Sequence, residues 1–253
     1  SPDDSIATGG TITPDKMSVN TDTGFSIVKY TGQGNDNDSI PHGLTKEPDV
    51  FIYKKTSETS GWMVKLNPKT YAAVSDEDQY LYLNLTSPFG TNSSFDGSGV
   101  DEQTIILPDT IKFTKSAHQN KSGVDLIAYC WHSVPGYSAF GSYTGSGSAD
   151  NAFVYTGFKP AFVMLKCTAS FGSDNGFNSW TIIDNARSQY NPVDIRQALW
   201  ANSSNREGYR TGNNAESNIA IINFLSNGFK IIESSYEVGQ SQSYIYMAFA
   251  EQP

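Results

Sequence analysis

Tyr30-Thr31-Gly32-Gln33-Gly34 recurs further along the chain as Tyr143-Thr144-Gly145-Ser146-Gly147, at an offset of 113 residues. Outward from this pentapeptide the match continues in order. Gly43-Leu44-Thr45-Lys46-Glu47-Pro48, followed by Val50-Phe51-Ile52-Tyr53-Lys54, returns as Gly157-Phe158-Lys159-Pro160, followed by Phe162-Val163-Met164-Leu165-Lys166. Trp62-Met63-Val64 returns as Trp180-Thr181-Ile182, and Leu107 with Ile111-Lys112 as Leu225 with Phe229-Lys230. Ala128-Tyr129 returns as Ala248-Phe249. The offset changes mainly across loop-like stretches, as duplication with loop insertions would produce. Each block has a physical reading. The Tyr-Thr-Gly-x-Gly block ends a strand and lets the backbone turn with positive φ. The Pro after each Gly-(Leu/Phe) breaks the chain before the next apolar run, because Pro cannot sit in a central strand.

Around these blocks the pattern has period two. Tyr80-Leu81-Tyr82-Leu83-Asn84-Leu85 and Ser243-Tyr244-Ile245-Tyr246-Met247-Ala248-Phe249 alternate, whereas Val50-Phe51-Ile52-Tyr53, Ala161-Phe162-Val163-Met164-Leu165 and Ile219-Ala220-Ile221-Ile222 are continuous apolar runs. Alternation marks strands with one solvent face, and continuous runs mark strands covered on both faces. Turn clusters at 33–38, 95–99, 172–176 and 226–228 separate them. The pattern predicts an all-β chain of two tandem, internally duplicated antiparallel β-sandwich units of jelly-roll or lectin-like type. Residues 1–16 form a polar linker or arm, 17–133 the first repeat and 134–253 the second. Fusion of both copies into one pseudo-symmetric sandwich fits the same repeat. One short helix, of a turn or two, is predicted at Asn191–Leu199, with Asn191 as N-cap and Pro192 at the first helical position.

Composition narrows the function classes. Of 253 residues only 17% are charged, against about a quarter in an average soluble protein, and 13% are aromatic. With 17 Lys+Arg against 26 Asp+Glu, the net charge of −9 leaves little material for a basic nucleic-acid footprint. The aromatic content argues against disorder. No apolar stretch approaches the roughly 20 residues that span a bilayer. Cys130 and Cys167 each sit in an apolar run and read as buried free thiols, with one disulfide as the alternative. The chain starts Ser1-Pro2-Asp3-Asp4 and reads as a mature or excised fragment.

Several phrases carry a resemblance. They are Val19-Asn20-Thr21-Asp22-Thr23-Gly24-Phe25-Ser26-Ile27-Val28-Lys29-Tyr30-Thr31-Gly32 with His42-Gly43-Leu44 and Pro48, and Tyr129-Cys130-Trp131-His132-Ser133-Val134-Pro135-Gly136-Tyr137-Ser138. Asp184-Asn185-Ala186-Arg187, Tyr190-Asn191-Pro192, Phe224-Leu225-Ser226-Asn227-Gly228-Phe229-Lys230 and Tyr244-Ile245-Tyr246-Met247-Ala248-Phe249-Ala250-Glu251 complete the set. Over residues 17–253 the chain resembles the repeated domain of tail-fibre-like virion proteins of marine tailed phages, cyanophages especially. The resemblance implies a virion-surface protein at the distal part of a larger, trimeric fibre, in contact with other virion proteins.

The search for chemistry finds few candidates. His42, His118 and His132 are scattered and lack a nucleophile motif, and no His or Cys spacing suits zinc. The reading is therefore non-enzymatic and cofactor-free, with a polysaccharide depolymerase as the least favoured alternative. Asn35-Asp36-Asn37-Asp38 and Asp174-Asn175 offer hard oxygen donors to a surface calcium ion, or simply form Asx turns. Binding has more material. Residues 184–212 form a long polar connection bearing Asn185, Arg187, Tyr190, Arg196, Trp200, Arg206, Tyr209 and Arg210. Long loops on a rigid scaffold commonly carry function. Tyr and Trp supply rigid contact area, and Arg and Asn directional hydrogen bonds, to a cell-surface glycan. The same groups could instead cap their own loop or pack between subunits. The 86–104 segment is the second candidate. The expected function is host attachment without catalysis; a structural capsid-decoration or fibre-shaft module is the alternative.

Overall fold

A computed structural model describes residues 4–74, 79–91, 104–114, 118–169, 178–187, 191, 193–194, 197–208, 220–232, 234 and 238–252. Its strands are β1 (Lys16–Asn20), β2 (Phe25–Thr31), β3 (Ser39–Pro41), β4 (Val50–Lys55), β5 (Met63–Leu66), β6 (Gln79–Tyr82), β7 (Gly90–Thr91), β8 (Thr104–Ile106), β9 (Thr110–Phe113) and β10 (Asp125–Trp131). They continue as β11 (Ser138–Thr144), β12 (Phe153–Tyr155), β13 (Phe162–Cys167), β14 (Thr181–Asp184), β15 (Val193–Asp194), β16 (Leu199–Trp200), β17 (Ala220–Leu225), β18 (Gly228–Ile231) and β19 (Ser243–Phe249). All pairings are antiparallel.

The chain divides into two compact units. The first is Ser1–Tyr82 with Phe89–Ser133, and the second is Leu83–Pro88 with Val134–Pro253. In the first unit a seven-stranded sheet, β1-β2-β10-β4-β5-β6-β7, faces a three-stranded sheet, β3-β9-β8. In the second a five-stranded sheet, β11-β19-β13-β14-β16, faces a four-stranded sheet, β12-β18-β17-β15. The order β2-β10-β4-β5 thus returns as β11-β19-β13-β14, and β3-β9-β8 as β12-β18-β17. Each core lies between its two sheets. Val28, Tyr30, Phe51 and Ala128 meet Ile40, Ile111 and Phe113 in the first unit, and Val163, Leu165, Tyr244 and Ala248 meet Val154, Ile222 and Phe229 in the second. This is sandwich packing.

The repeated motifs do the same work in both units. Tyr30 and Tyr143, each buried, donate their hydroxyls to Gln119 O (2.7 Å) and Val238 O (2.8 Å). The second glycine of each Tyr-Thr-Gly-x-Gly block has positive φ, +79° at Gly34 and +70° at Gly147. The first serves a close approach instead: a Cβ on Gly32 would lie 2.3 Å from Lys121 O, and one on Gly145 2.1 Å from Gln240 O. Lys54 and Lys166 each fasten the loop that follows their strand, Lys54 Nζ donating to Ser60 O (2.6 Å) and Lys166 Nζ to Asn178 O (2.5 Å). Burial pulls the Lys166 ammonium down to about 8.

Of the short helix predicted at Asn191–Leu199, the described residues show only a 3-10 conformation at Gln197, and short strands stand on either side of it. Val193–Asp194 pairs with β17 and Leu199–Trp200 with β14. Asn191 does not cap: its Nδ2 donates to Phe224 O (2.7 Å) and its Oδ1 accepts from Phe224 N (2.9 Å), which ties the segment to the sheet. Cys130 and Cys167 are buried free thiols, so the disulfide alternative falls away. Burial pushes the Cys130 thiol up to about 12 and also raises Cys167. Among the described residues no helix is long and apolar enough to cross a membrane.

Candidate functional site

Strands β2 and β10 alternate strictly between buried and half-buried positions. Ser26, Val28 and Tyr30 point inward with Leu126, Ala128 and Cys130. The outward set is Phe25, Ile27, Lys29 and Thr31 on β2 and Asp125, Ile127, Tyr129 and Trp131 on β10. A strand with one solvent face normally carries polar residues there; these two carry mostly apolar ones. The register sets Phe25 opposite Trp131, Ile27 opposite Tyr129 and Lys29 opposite Ile127.

The rings gather into a strip. Phe25 and Trp131 stack at 4.8 Å between centroids, Tyr129 lies 6.1 Å from Trp131 at 19° between planes, and Phe25 lies 6.5 Å from Tyr129 at 9°. Trp62, just before β5, adds a fourth ring 6.1 Å from Tyr129. All four rings are half-buried, so each keeps part of its surface in water. Toward the other end of β2 the same face opens into a cleft of about 510 Å³. It is lined by Ile27, Lys29 and Ile127 together with Ile6, Lys16 and Ser18, and Asp4 and Asp15 add carboxylates. The apolar strip and the adjoining cleft with its charged and hydroxyl groups put apolar contact area beside hydrogen-bonding groups on one face. The sequence carried a signal for it, the apolar outward set of Phe25-Ser26-Ile27-Val28-Lys29, but only knowledge of the pairing with β10 brings the rings together.

The 184–212 set divides. Trp200, on β16, is only 6% exposed and belongs to the core of the second unit, so the ligand-stacking role expected of it is corrected to a packing role. Arg187 is also engaged. Its Nε and Nη2 donate to Asp184 Oδ2 (2.7 and 2.5 Å) and its Nη1 to Glu207 Oε1 (3.2 Å), while its carbonyl accepts from Gln197 Nε2. Burial alone would raise the Asp184 carboxyl, but the bonds from Arg187 outweigh it and hold it below its usual value. Arg187 therefore pins the connection to the end of β14. Asn185 is half-buried at the turn after β14, and Arg206 is exposed. Tyr190, Arg196, Tyr209 and Arg210 lie outside the described residues, as does most of the 86–104 segment.

The remaining candidates are structural where they are described. His42 is fully buried. It accepts from Leu44 N at Nδ1 (3.1 Å) and lies 3.2 Å from Leu107 O at Nε2, which assigns the neutral tautomer with the proton on Nε2. Burial lowers its pKa. Asp38 is turned inward, accepting from Thr11 Oγ1, Asn35 N and Asn120 Nδ2. Asp174-Asn175 lies outside the described residues, and among those described no three His, Cys, Asp or Glu side chains converge as a metal site. Phe153 (48% exposed) and Tyr155 (67%), adjacent outward positions on β12, went unnoticed in the sequence.

A family model described as a domain of unknown function (DUF7483) matches residues 3–253 and so spans both units. No curated protein and no solved structure matches the chain.

Proposed function

The chain belongs to the DUF7483 family, and we propose that it is a non-catalytic surface module of a tailed-phage virion, in a tail fibre or capsid appendage, that attaches to host-cell glycan. The observation that carries this reading is the four-ring strip of Phe25, Tyr129, Trp131 and Trp62 with its adjoining cleft. A sugar presents C–H faces that pack on aromatic surface and hydroxyls that need donors and acceptors. The strip offers the first, and Lys16, Lys29, Ser18, Asp4 and Asp15 the second. Phe25, Tyr129 and Trp131 stand on paired strands and lose little conformational freedom on binding. The resemblance to tail-fibre-like proteins supports the virion location and a trimeric assembly with other virion proteins.

Asn185 and Arg206, on a connection pinned by Arg187, offer a second contact for the same class of ligand. Binding of the intact chain to purified host-envelope polysaccharide tests the proposal. Trp131→Ala and Trp62→Ala are expected to weaken binding about tenfold or more with the fold intact by circular dichroism, and no reducing sugar is released. Undiminished binding in both variants refutes the strip as the site. A second reading, a structural module with subunit contacts, is favoured by the exposed Phe153 and Tyr155.

A further inference from the structure

On the outward face of β1, β2 and β10 the register lines side chains into rows across the strands. One row holds Asn20, Phe25 and Trp131, and the next Ser18, Ile27 and Tyr129. The third holds Lys16, Lys29 and Ile127, and continues to Lys54 on β4. Rings thus stand at one end of the face and lysines at the other. Phe25 and Lys29 are four residues apart on one strand, which separates the two ends by roughly 14 Å.

Lys16 and Lys29 stand directly opposite each other in this register. Side chains so placed have Cβ atoms about 5 Å apart, and like charges there destabilise the sheet. Lys54, in the same row, is satisfied by Ser60, donating to its carbonyl (2.6 Å) and hydroxyl (3.4 Å). Lys69 and Lys230 reach carboxylates, Glu47 (2.8 Å) and Asp150 (2.6 Å). Among the described residues the ammoniums of Lys16 and Lys29 have no hydrogen-bond or ion-pair partner. Carboxylates are near but turned elsewhere. Asp15 Oδ2 and Asp125 Oδ1 both face Thr31 Oγ1, at 3.2 and 2.9 Å, one outward position beyond Lys29 and away from the rings. Asp4 is exposed. The two lysines line the cleft, beside the aliphatic side chains of Ile27 and Ile127 and the hydroxyl of Ser18.

We propose that the glycan is an acidic polysaccharide, and that one of its anionic groups (a carboxylate, sulfate or phosphate ester) sits between Lys16 Nζ and Lys29 Nζ in the cleft. This inference rests on the attachment reading above and names the ligand class of the same site. An anion between the two ammoniums removes their repulsion and accepts a charge-assisted hydrogen bond from each. Because the rings and the lysines lie at opposite ends of the face, a ligand that touches both is a chain of sugars. One sugar packs on Phe25, Tyr129 and Trp131, and an acidic sugar further along the chain meets the lysines. Asp15 and Asp125, just beyond, disfavour a chain charged at every sugar.

The test separates host-envelope polysaccharide on an anion exchanger into neutral and acidic fractions. Binding of each to the intact chain is measured for the parent, Lys16→Gln/Lys29→Gln and Trp131→Ala. The parent is expected to prefer the acidic fraction about tenfold or more, and the preference should fade as salt is raised to about 0.5 M. Lys16→Gln/Lys29→Gln should abolish the preference, leave binding to the neutral fraction unchanged, and melt no lower than the parent, since it removes a repulsive pair. Trp131→Ala should weaken both fractions alike. Equal binding of the two fractions by the parent, an envelope that yields no acidic fraction, or a preference that survives in the lysine variant overturns the inference and leaves the attachment reading standing. Dextran sulfate bound as tightly as the acidic fraction also overturns it, by making the lysines an unselective cationic patch. Binding of neither fraction by the parent overturns both readings.

Discussion

Replacing Trp200 by Ala separates a packing role from a binding role. Trp200 sits on β16, opposite Thr181 of β14, 6% exposed and in the same cluster as Ile183, Ala198 and Val163. A buried Trp contributes roughly 150–250 Å² of contact area, and Trp→Ala in a core costs about 3–5 kcal/mol. β16 is a two-residue edge strand that can relax, which favours the lower part of that range, about 3–4 kcal/mol. At about 4 °C per kcal/mol for a unit of this size, the melting temperature falls by roughly 12–16 °C. Differential scanning calorimetry of the intact chain reads it directly, and Trp200→Phe should recover most of the loss. A variant that melts within about 2 °C of the parent yet loses glycan binding would show that Trp200 faces ligand, and would refute the burial on which this reasoning stands.

Other consequences of the duplication and the buried groups can be measured alongside. Tyr30→Phe and Tyr143→Phe each strand a buried carbonyl, and urea titration should show similar losses of about 1–3 kcal/mol for the two; a large loss in one and none in the other would break the equivalence of the units. His42 is held neutral, with a folded pKa below its ordinary 6.5. The unfolded chain therefore binds the extra proton first, and stability is full above pH 6.5 and falls as pH drops through the folded value. His42→Gln should flatten that acid limb in urea titrations taken from pH 7.5 to 5, and an unchanged slope would assign the pH dependence to another group. The buried thiols of Cys130 and Cys167 should stay unreactive toward a thiol reagent until denaturant is added; rapid modification of the folded chain would contradict their burial.

The fold class and the repeat were legible because they rest on local rules. The continuous apolar runs at Val50–Tyr53 and Ala161–Leu165, and the positive φ at the second glycine of each Tyr-Thr-Gly-x-Gly block, follow from strand geometry and local backbone conformation. The Asn191-Pro192 pair misled because a helix cap and a tertiary clamp use the same side chain, and only the position of Phe224 decides between them. Trp200 misled similarly. In a polar stretch it reads as a surface ring, but pairing with β14 turns it into the core. The ring strip was hidden for the opposite reason: Phe25, Trp62 and the Tyr129/Trp131 pair are far apart in sequence, and the folded sheet joins them. Ser39 and Phe153 occupy corresponding places in the two copies, one buried and the other exposed, a contrast set by the register with β9 and β18 and by no local motif.

The most direct test is equilibrium binding of the intact chain to host-envelope polysaccharide, measured in parallel for the parent, Trp131→Ala and Arg206→Ala. Saturable binding that Trp131→Ala weakens about tenfold or more, with a smaller effect from Arg206→Ala and no sugar released, is the result the account predicts. Absence of binding by the parent, or cleavage of the polysaccharide, would contradict it.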